Sequence, residues 1–436
     1  MPNARIFCNV PWTNTHIYWD GSYGACCAES EKLYQEKDSS TYNLKQMSLT
    51  QWLESQPLDE MKQRMLGNDP LPQCKHCYKD EAAGFESKRI QENFKTIIFT
   101  EQAFDRSFDQ NPIVKQITHR DPVLPIDWHV DLGNECNLAC KMCGPALSSK
   151  IAAQYRQWNI IDRSQPVISN WTEDDESWQQ FLHNIEQVPA LSRLHFMGGE
   201  PLLNRRFESL LDYLIDCGRH KTMSISFVTN GTIYRQSLID KLKMFTSCDL
   251  EVSLETVNRT NNYIRQGSSI EQVLGNIEKI LAQTDDNFQL IMRPAPQLLS
   301  VNSYYEYIEW CYDRGLPIQS IPVNRPAYMK ISVLPRTLRL QLVDKYRPLQ
   351  ARLQSDCDNM RATISLGRNK TTLAPRFLRE VNSIINLLEQ PEESDKLKNE
   401  LIGWLSRWDQ VYKLDACEFY PEYADFFKSY GYKIQH

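Results

Sequence analysis

Apolar positions follow two rhythms along this chain. Between about residue 126 and residue 324, short runs of β-type apolar residues recur, and each is followed by a longer stretch whose apolar residues return every three or four positions. The short runs predict strands at Ile126–Leu132, Arg193–Met197, Met223–Val228, Leu250–Leu254, Gln289–Met292 and Ile318–Val323. The longer stretches predict helices. At Arg206–Cys217, Phe207, Leu210, Leu211, Leu214 and Ile215 make one apolar stripe, and Ile270–Leu281 reads the same way. Strand and helix in alternation is the signature of βα units built on a parallel sheet. Six such units give an incomplete barrel or an open curved sheet, with the active residues at the carboxyl ends of the strands.

The flanks read differently. Up to about residue 115 the chain is rich in cysteine and turn residues, with one helix predicted near Leu58–Leu66, ahead of the breaker Gly67-Asn68-Asp69-Pro70. Asn111–Pro125 carries Pro112, Pro122 and Pro125 with little apolar periodicity and reads as a linker. Beyond about Arg325 the pattern is helical, clearest at Leu338–Leu353 and Leu397–Trp408. There Trp404, Trp408 and the run Phe419–Tyr423 are assigned to packing. The expected zones are therefore 1–115, 116–325 and 326–436.

With 436 residues, 41% of them hydrophobic and 11% aromatic, the chain has ample material for sizeable cores. Its 49 Lys plus Arg against 55 Asp plus Glu leave a net charge of -6, so no overall basic field exists to grip phosphate backbones, and nucleic acid is disfavoured as a partner. No run approaches the roughly 18 apolar residues of a membrane span, and Met1–Trp12 lacks the basic start and apolar stretch of a secretory signal. A cytoplasmic protein with no membrane partner is expected. In that compartment the thirteen cysteines call for a role other than disulfides. Cys8, Cys26, Cys27, Cys74, Cys77, Cys136, Cys140 and Cys143 fall in the first third in close-spaced groups, whereas Cys217, Cys248, Cys311, Cys357 and Cys417 are singletons and read as small buried hydrophobes.

Directly after the first predicted barrel strand stands Cys136-Asn137-Leu138-Ala139-Cys140-Lys141-Met142-Cys143. Three thiolates on one short loop can hold three corners of a cubane iron–sulfur cluster, and soft sulfur donors suit iron. Structural zinc sites and electron-carrier clusters ordinarily take four ligands, so a triplet leaves one metal position open to a small molecule. The rival is a zinc knuckle completed by a distant fourth ligand such as His129. No Ser/His/Asp set, phosphate loop or HExxH helix offers a competing chemistry.

The triplet resembles the signature of the radical S-adenosylmethionine (SAM) superfamily, and further segments follow in that family's order. Met197-Gly198-Gly199-Glu200-Pro201 is similar to its Gly-Gly-Glu-Pro motif: two glycines let backbone approach a ligand, and Glu200 supplies an acceptor beside them. The resemblance implies that Gly198, Gly199 and Glu200 hold the SAM amino group. Val228-Thr229-Asn230-Gly231 closes the third strand and extends the match with Asn230. Val252-Ser253-Leu254-Glu255 closes the fourth, where the family places a polar residue against the ribose, here Ser253. Arg265, in Asn262–Gly267, is the candidate for the SAM carboxylate. Met142 stands where the family commonly has an aromatic near the adenine.

A second constellation precedes the barrel. Cys8 is followed by twelve residues, Gly21, four residues and Cys26, and Cys74-Lys75-His76-Cys77 comes about fifty residues later. Two separated pairs can close a four-thiolate site, for zinc or for iron–sulfur alike, when the intervening loop folds back. Asp20-Gly21 predicts a hairpin turn that presents Cys26 beside Cys8, with Cys27 on the opposite strand face and spare. The spacing resembles the SPASM or twitch auxiliary-cluster module, which implies Cys8, Cys26, Cys74 and Cys77 as ligands of an auxiliary 4Fe-4S cluster. That module usually follows the barrel and here comes before it. Glu81–Arg89 is similar to its continuation and has no assigned task.

The resemblance thus implies an α/β fold: a partial (β/α)6 radical SAM barrel, a small Cys-rich auxiliary-cluster domain ahead of it, and a C-terminal helical region. It implies two 4Fe-4S clusters, SAM as cofactor, and an external electron donor such as flavodoxin or ferredoxin. It implies reductive cleavage of SAM to a 5'-deoxyadenosyl radical that takes hydrogen from a substrate, by analogy a peptide or protein side chain. A small molecule or nucleotide is the alternative substrate, and a non-catalytic zinc-binding interaction protein the alternative class. No catalytic acid, base or radical donor is identified.

Overall fold

The computed structural model describes residues 6–29, 32–34, 40–82, 87–98, 115–117, 123–162, 170–362 and 370–433. Most of the linker expected at 111–125 lies outside them. In chain order the strands are β1 (Asn14–Ile17), β2 (Tyr23–Gly24), β3 (Asp127–Asp131), β4 (Ala139–Cys140), β5 (Arg193–Met197), β6 (Ser224–Thr229), β7 (Ser247–Val252), β8 (Arg265–Gln266) and β9 (Phe288–Met292). The chain divides into two compact units. Met1–Cys136, Pro145–Phe227 and Gln236–Cys248 form the first, and Asn137–Gly144, Val228–Arg235 and Asp249–His436 the second.

In the first unit the strand order is β2-β1-β3-β5-β6. Neighbours from β1 to β6 run parallel, and only the two-residue edge strand β2 is antiparallel. The expected hairpin is present, with Ile17 opposite Tyr23 and His16 opposite Gly24. One strand was not anticipated: β1 lies parallel beside β3 and extends the sheet. Its four residues, Asn-Thr-His-Ile, are too few and too polar to show a period of two, and only tertiary pairing makes them a strand.

Strand alternation sorts side chains onto two faces. Trp128, Phe196 and Phe227 are fully buried. They pack on helices on one side, Trp128 against Phe181 of the helix Asp175–Gln187 and both phenylalanines against Phe207 of the helix Arg205–Asp216, at ring-centre distances of 5.1–6.3 Å. The opposite face carries His16, His129, His195 and Ser226 in register across four strands.

In the second unit β9 lies beside β7, and β4 pairs antiparallel with β8, placing Cys140 opposite Arg265. Five of the six expected barrel strands are strands. The sixth, Ile318–Val323, is reduced to one parallel bridge, Met292 to Ile318. Its amides still donate to the adjoining segment, Ile321 to the Pro294 carbonyl and Val323 to the Pro296 carbonyl. Prolines cannot donate back, so Pro294, Pro296 and Pro322 stop the ladder from completing.

The C-terminal helical region consists mainly of Arg336–Ala362, Lys370–Glu389 and Asp395–Tyr412. The first and third contain the expected helices, and the second was not expected. The early helix spans Gln56–Leu66 and stops at Gly67, as the breaker requires. Among the single cysteines, Cys248, Cys311 and Cys357 are buried and Cys417 half-buried, but Cys217 is exposed. It caps the helix Arg205–Asp216, where its thiol donates to the Leu214 carbonyl, so its apolar neighbours in sequence did not predict its exposure.

Candidate functional site

The turn leaving β3 is held almost entirely by backbone polar groups. Trp171 Nε1 donates to the Asp131 carbonyl at 2.8 Å, Asn204 Nδ2 to the Leu132 carbonyl at 2.6 Å, and the Asn134 amide to Asn170 Oδ1 at 2.8 Å. These partners, which sequence reasoning missed, are scattered along the chain, Asn170 and Trp171 ahead of the helix Asp175–Gln187 and Asn204 ahead of the helix Arg205–Asp216, with no local signal of this task. Gly198 and Gly199 sit at φ +78° and +53° with their backbone laid on this turn. A Cβ on Gly198 would stand 2.7 Å from the Gly133 carbonyl oxygen, and one on Gly199 would collide with the Glu135 carbonyl. The glycine pair therefore brings backbone against the cysteine-bearing turn. The Glu200 amide donates to the Glu135 carbonyl at 2.7 Å, and the buried Glu200 carboxylate accepts from the Leu202 amide at 3.1 Å. Cys136 ends this segment, its amide donating to Ser149 Oγ.

Cys140, Met142 and Cys143 belong to the second unit. Cys140 lies in β4 and is buried, and the Cys143 amide closes a tight turn onto the Cys140 carbonyl at 2.9 Å. Arg265 reaches Cys140 Sγ with one guanidinium nitrogen, at 3.7 Å, and Glu255 with the other, at 2.5 Å. Glu255 also accepts from the Ala295 amide. Burial pushes both the Cys140 thiol and the Glu255 carboxyl upward, and the guanidinium between them opposes both shifts. Asn230 donates to Asn137 Oδ1 at 2.8 Å while Asn137 donates to Thr232 Oγ1 at 2.8 Å, so the residue after Cys136 is gripped by the end of β6. The Ser253 amide donates to the Thr229 carbonyl, and its half-buried side chain lies in the same unit. Gly267 rests on Asn137 and Leu138.

Between Cys140 and Met142, Lys141 is buried. Its Nζ stands 4.0 Å from the ring centre of Tyr263, 5.1 Å from that of Trp408 and 5.9 Å from that of Tyr412. Burial draws its ammonium down to about 8, against the pull of Asp409 and Cys140.

The four amino-terminal cysteines converge within the first unit. Cys8, Cys26, Cys74 and Cys77 all line one cavity, whose apolar wall includes Met61 and Met65. Cys8 is strapped by the helix Lys88–Ile98, since Arg89 and Asn93 both donate to the Phe7 carbonyl and the Asn9 amide donates to Asn93 Oδ1. Glu29 receives the amides of Ala25 and Cys26. Cys74 ends the short 3-10 turn Pro72–Cys74, and Cys77 lies in the helix Lys75–Ala82. Glu81 of that helix pairs with Arg89, Oε1 to Nε at 3.0 Å, so this ion pair joins the helix of the second cysteine pair to the strap on Cys8. Burial raises the Cys8 and Cys77 thiols and pushes Cys74 up to about 12.

Soft sulfur donors, an apolar wall and raised thiols suit a metal that displaces protons. Among the described residues no three His, Cys, Asp or Glu side chains are drawn in far enough to hold a single ion. A cubane does not need its ligands to meet at one ion, because its irons occupy separate corners.

Cys27 is not on an opposite strand face, because β2 ends at Gly24. Its thiol interacts with that of Cys26, which raises Cys26 and lowers Cys27. It lines a smaller adjoining pocket with His16, Lys88 and His129. Thus His129, weighed as a fourth ligand for the triplet, faces the amino-terminal cysteines, and its Nε2 lies 3.5 Å from Lys88 Nζ.

A mostly parallel α/β sheet with a three-cysteine loop directly after a strand, and a four-cysteine cavity built from the segment ahead of it, define a class. Residues 130–292 match the radical SAM superfamily, and residues 8–78 match the SPASM iron–sulfur cluster-binding domain. The segment that matches the SPASM domain thus stands amino-terminal to the one that matches the radical SAM superfamily. The cofactors that go with these domains are a SAM-binding 4Fe-4S cluster, an auxiliary iron–sulfur cluster and SAM.

Among characterised proteins, a stretch of 131 residues is 24% identical to the S-adenosylmethionine-dependent nucleotide dehydratase of Selenomonas ruminantium, covering 30% of this chain and 39% of that protein. The chain thus matches about two fifths of that relative's length. Streptococcus suis SuiB bound to S-adenosylmethionine is 12% identical with a TM-score of 0.35, over 56% of this chain and 48% of SuiB. TYW1 with a lysine-pyruvate adduct is 14% identical with a TM-score of 0.28, over 48% of this chain and 68% of that one. Neither structural likeness carries a functional argument.

Proposed function

We propose that this protein reductively cleaves SAM and removes hydrogen from an unactivated carbon of a peptide or protein side chain, as an oxidoreductase with two clusters. The observation that carries the reading is the three-cysteine loop leaving β3 inside the segment that matches the superfamily, with the Gly198-Gly199 backbone packed on its start. When bound, a reduced cluster of this kind supplies the electron that splits the sulfonium of SAM.

This chain's residues have the following parts. Cys136, Cys140 and Cys143 would hold the 4Fe-4S cluster that binds SAM. Gly198, Gly199 and Glu200 receive its amino group, Arg265 its carboxylate and Ser253 its ribose, while Asn230 orients the cysteine loop and Met142 packs at the adenine. Arg265 is held by Glu255 in this structure, so binding a carboxylate requires it to share or exchange that partner. Cys8, Cys26, Cys74 and Cys77 bind the auxiliary cluster. Four protein thiolates leave that cluster no vacant iron, so electron transfer is its task.

In the same reading, residues 1–115 form the auxiliary domain, 116–325 the radical SAM domain and 326–436 the helical region. An external flavodoxin or ferredoxin supplies electrons, and the compartment is the reducing cytoplasm, which keeps cysteines out of disulfides. Among the described residues no helix is long and apolar enough to cross a membrane.

Anaerobic reconstitution followed by dithionite and SAM tests this directly. About eight irons per chain, four for each cubane, and release of 5'-deoxyadenosine are expected. Protein that takes up zinc alone, or that leaves SAM intact under strong reductant, would sink the proposal. A second reading, a nucleotide substrate, is favoured by the similarity to the nucleotide dehydratase. Deuterium transfer from labelled nucleoside triphosphates into 5'-deoxyadenosine would replace the peptide with that class.

A further inference from the structure

Lys141 is the one residue of the cysteine loop whose charge the proposed reaction does not use, and its surroundings are unusual. It is 1% exposed, and among the described residues its Nζ has no hydrogen-bond partner. An isolated buried ammonium is unfavourable, so compensation has to come from nearby. Part of it is present. The ammonium sits over the faces of Tyr263, Trp408 and Tyr412 at 4.0, 5.1 and 5.9 Å from the ring centres, close enough for cation–π attraction. The Tyr263 hydroxyl donates to both Asp409 oxygens, at 2.9 and 3.1 Å, which enriches the ring electronically. Asp409 is itself buried and occupied by Tyr432 and the Ala416 amide. The Lys141 amide is fixed to the Ile264 carbonyl at 2.9 Å, so the ammonium cannot leave by a simple shift of the loop.

Trp408, Asp409 and Tyr412 all come from the helix Asp395–Tyr412 of the C-terminal region. This helix therefore holds a positive charge at a position flanked by Cys140 and Cys143. Rings attract a cation without donating or accepting hydrogen bonds, so the charge is opposed chiefly by Asp409, and Cys140 also lies within its electrostatic reach.

We propose that Lys141, caged by Tyr263, Trp408 and Tyr412, is a positioning residue that sets the reduction potential of the SAM-binding cluster. This rests on the three-cysteine loop binding that cluster. Reduction adds one electron, drawn from an external donor, and so one negative charge to the cluster. A fixed ammonium in a low-dielectric site stabilises the product of that step more than its reactant. The C-terminal helices thereby act on the chemistry through a charge they hold in place.

The experiment is a potentiometric titration of the reconstituted full-length protein without SAM, followed by the EPR signal of the reduced cluster, for wild type, Lys141→Met and Lys141→Arg. Methionine keeps the length and apolar fit of the side chain and removes the charge. Its equilibrium constant for reduction should fall about tenfold, a 59 mV lower midpoint for a one-electron couple. Lys141→Arg should stay near wild type, and Tyr412→Leu, which opens the cage, should move partway.

A Lys141→Met midpoint equal to that of wild type, with the EPR signal intact, would overturn the proposal. So would equal loss of the cluster in the Met and Arg variants, which would make the role steric. Cluster loss in the Met variant alone would support a need for the charge. Wild-type protein showing no cluster on this loop would instead sink the proposed function, and the two failures are thereby distinguishable.

Discussion

The two cysteine sites are built in opposite ways. The four-cysteine cavity gathers ligands from three separate segments, and long-range contacts hold it together: Arg89 and Asn93 on the Phe7 carbonyl, Glu81 on Arg89, and Glu29 on the Ala25–Cys26 backbone. The three-cysteine loop takes its ligands from eight consecutive residues, and nearby backbone and the ends of strands brace it. Charge also differs. Around the four cysteines Glu29 and Glu81 meet Lys88 and Arg89, whereas Cys140 faces the Arg265 guanidinium and adjoins the Lys141 ammonium. On the proposed reading, a site with four ligands needs the fold to form, whereas a three-ligand loop is largely prepared by the chain itself.

The largest effects should separate the two sites by function. Cys140→Ala is expected to reduce 5'-deoxyadenosine formation to the level of a protein-free control, measured by chromatography after anaerobic reaction with dithionite and SAM. Cys77→Ala should lose about four irons per chain yet retain more SAM cleavage than substrate turnover. If both variants lost SAM cleavage equally, the division of labour would be refuted.

Stability should separate them next. Arg89→Met leaves half-buried Glu81 without its cation and removes a donor from the Phe7 carbonyl, at an expected cost of about 3 kcal/mol. Gly199→Ala, where φ is +53° and the Glu135 carbonyl stands in the way, should cost about 1–3 kcal/mol. Denaturant unfolding of the two variants checks the ranking. A more damaging Gly199 variant would mean that the three-cysteine loop depends on the fold as heavily as the four-cysteine cavity does.

The same contrast explains what the sequence made legible. The three-cysteine loop and five barrel strands are local patterns, read from spacing and periodicity, and the glycine pair was legible through its resemblance to a family motif. The four amino-terminal cysteines were legible through their resemblance to a known module, and they do line one cavity. The tasks of Arg89 and Glu81 were not, because an ion pair eight residues apart across two helices has no one-dimensional signature. β1 escaped because its pairing with β3 joins segments more than a hundred residues apart. The cage around Lys141 escaped for the same reason. Trp408 and Tyr412 show only as an apolar helix face, and nothing in their own segment indicates that they meet a lysine of the cysteine loop.

The smallest expected effect tests the cage from its quiet side. Tyr263→Phe keeps the ring 4.0 Å from Lys141 Nζ and removes only the hydroxyl that donates to Asp409. Asp409 retains the Tyr432 hydroxyl and the Ala416 amide, so its carboxylate is not left bare. The loss should be that of one hydrogen bond whose acceptor keeps two other donors, about 0.5–1.5 kcal/mol. The cluster midpoint should move little, since attraction to the ammonium comes from the ring face. A shift in midpoint as large as that of Lys141→Met would move the control of charge from the ring to the Tyr263–Asp409 bond. The contrast between a loop prepared by local sequence and a cavity prepared by the fold would then lose its clearest boundary, because the three-cysteine loop would depend on a polar network reaching into the C-terminal helices.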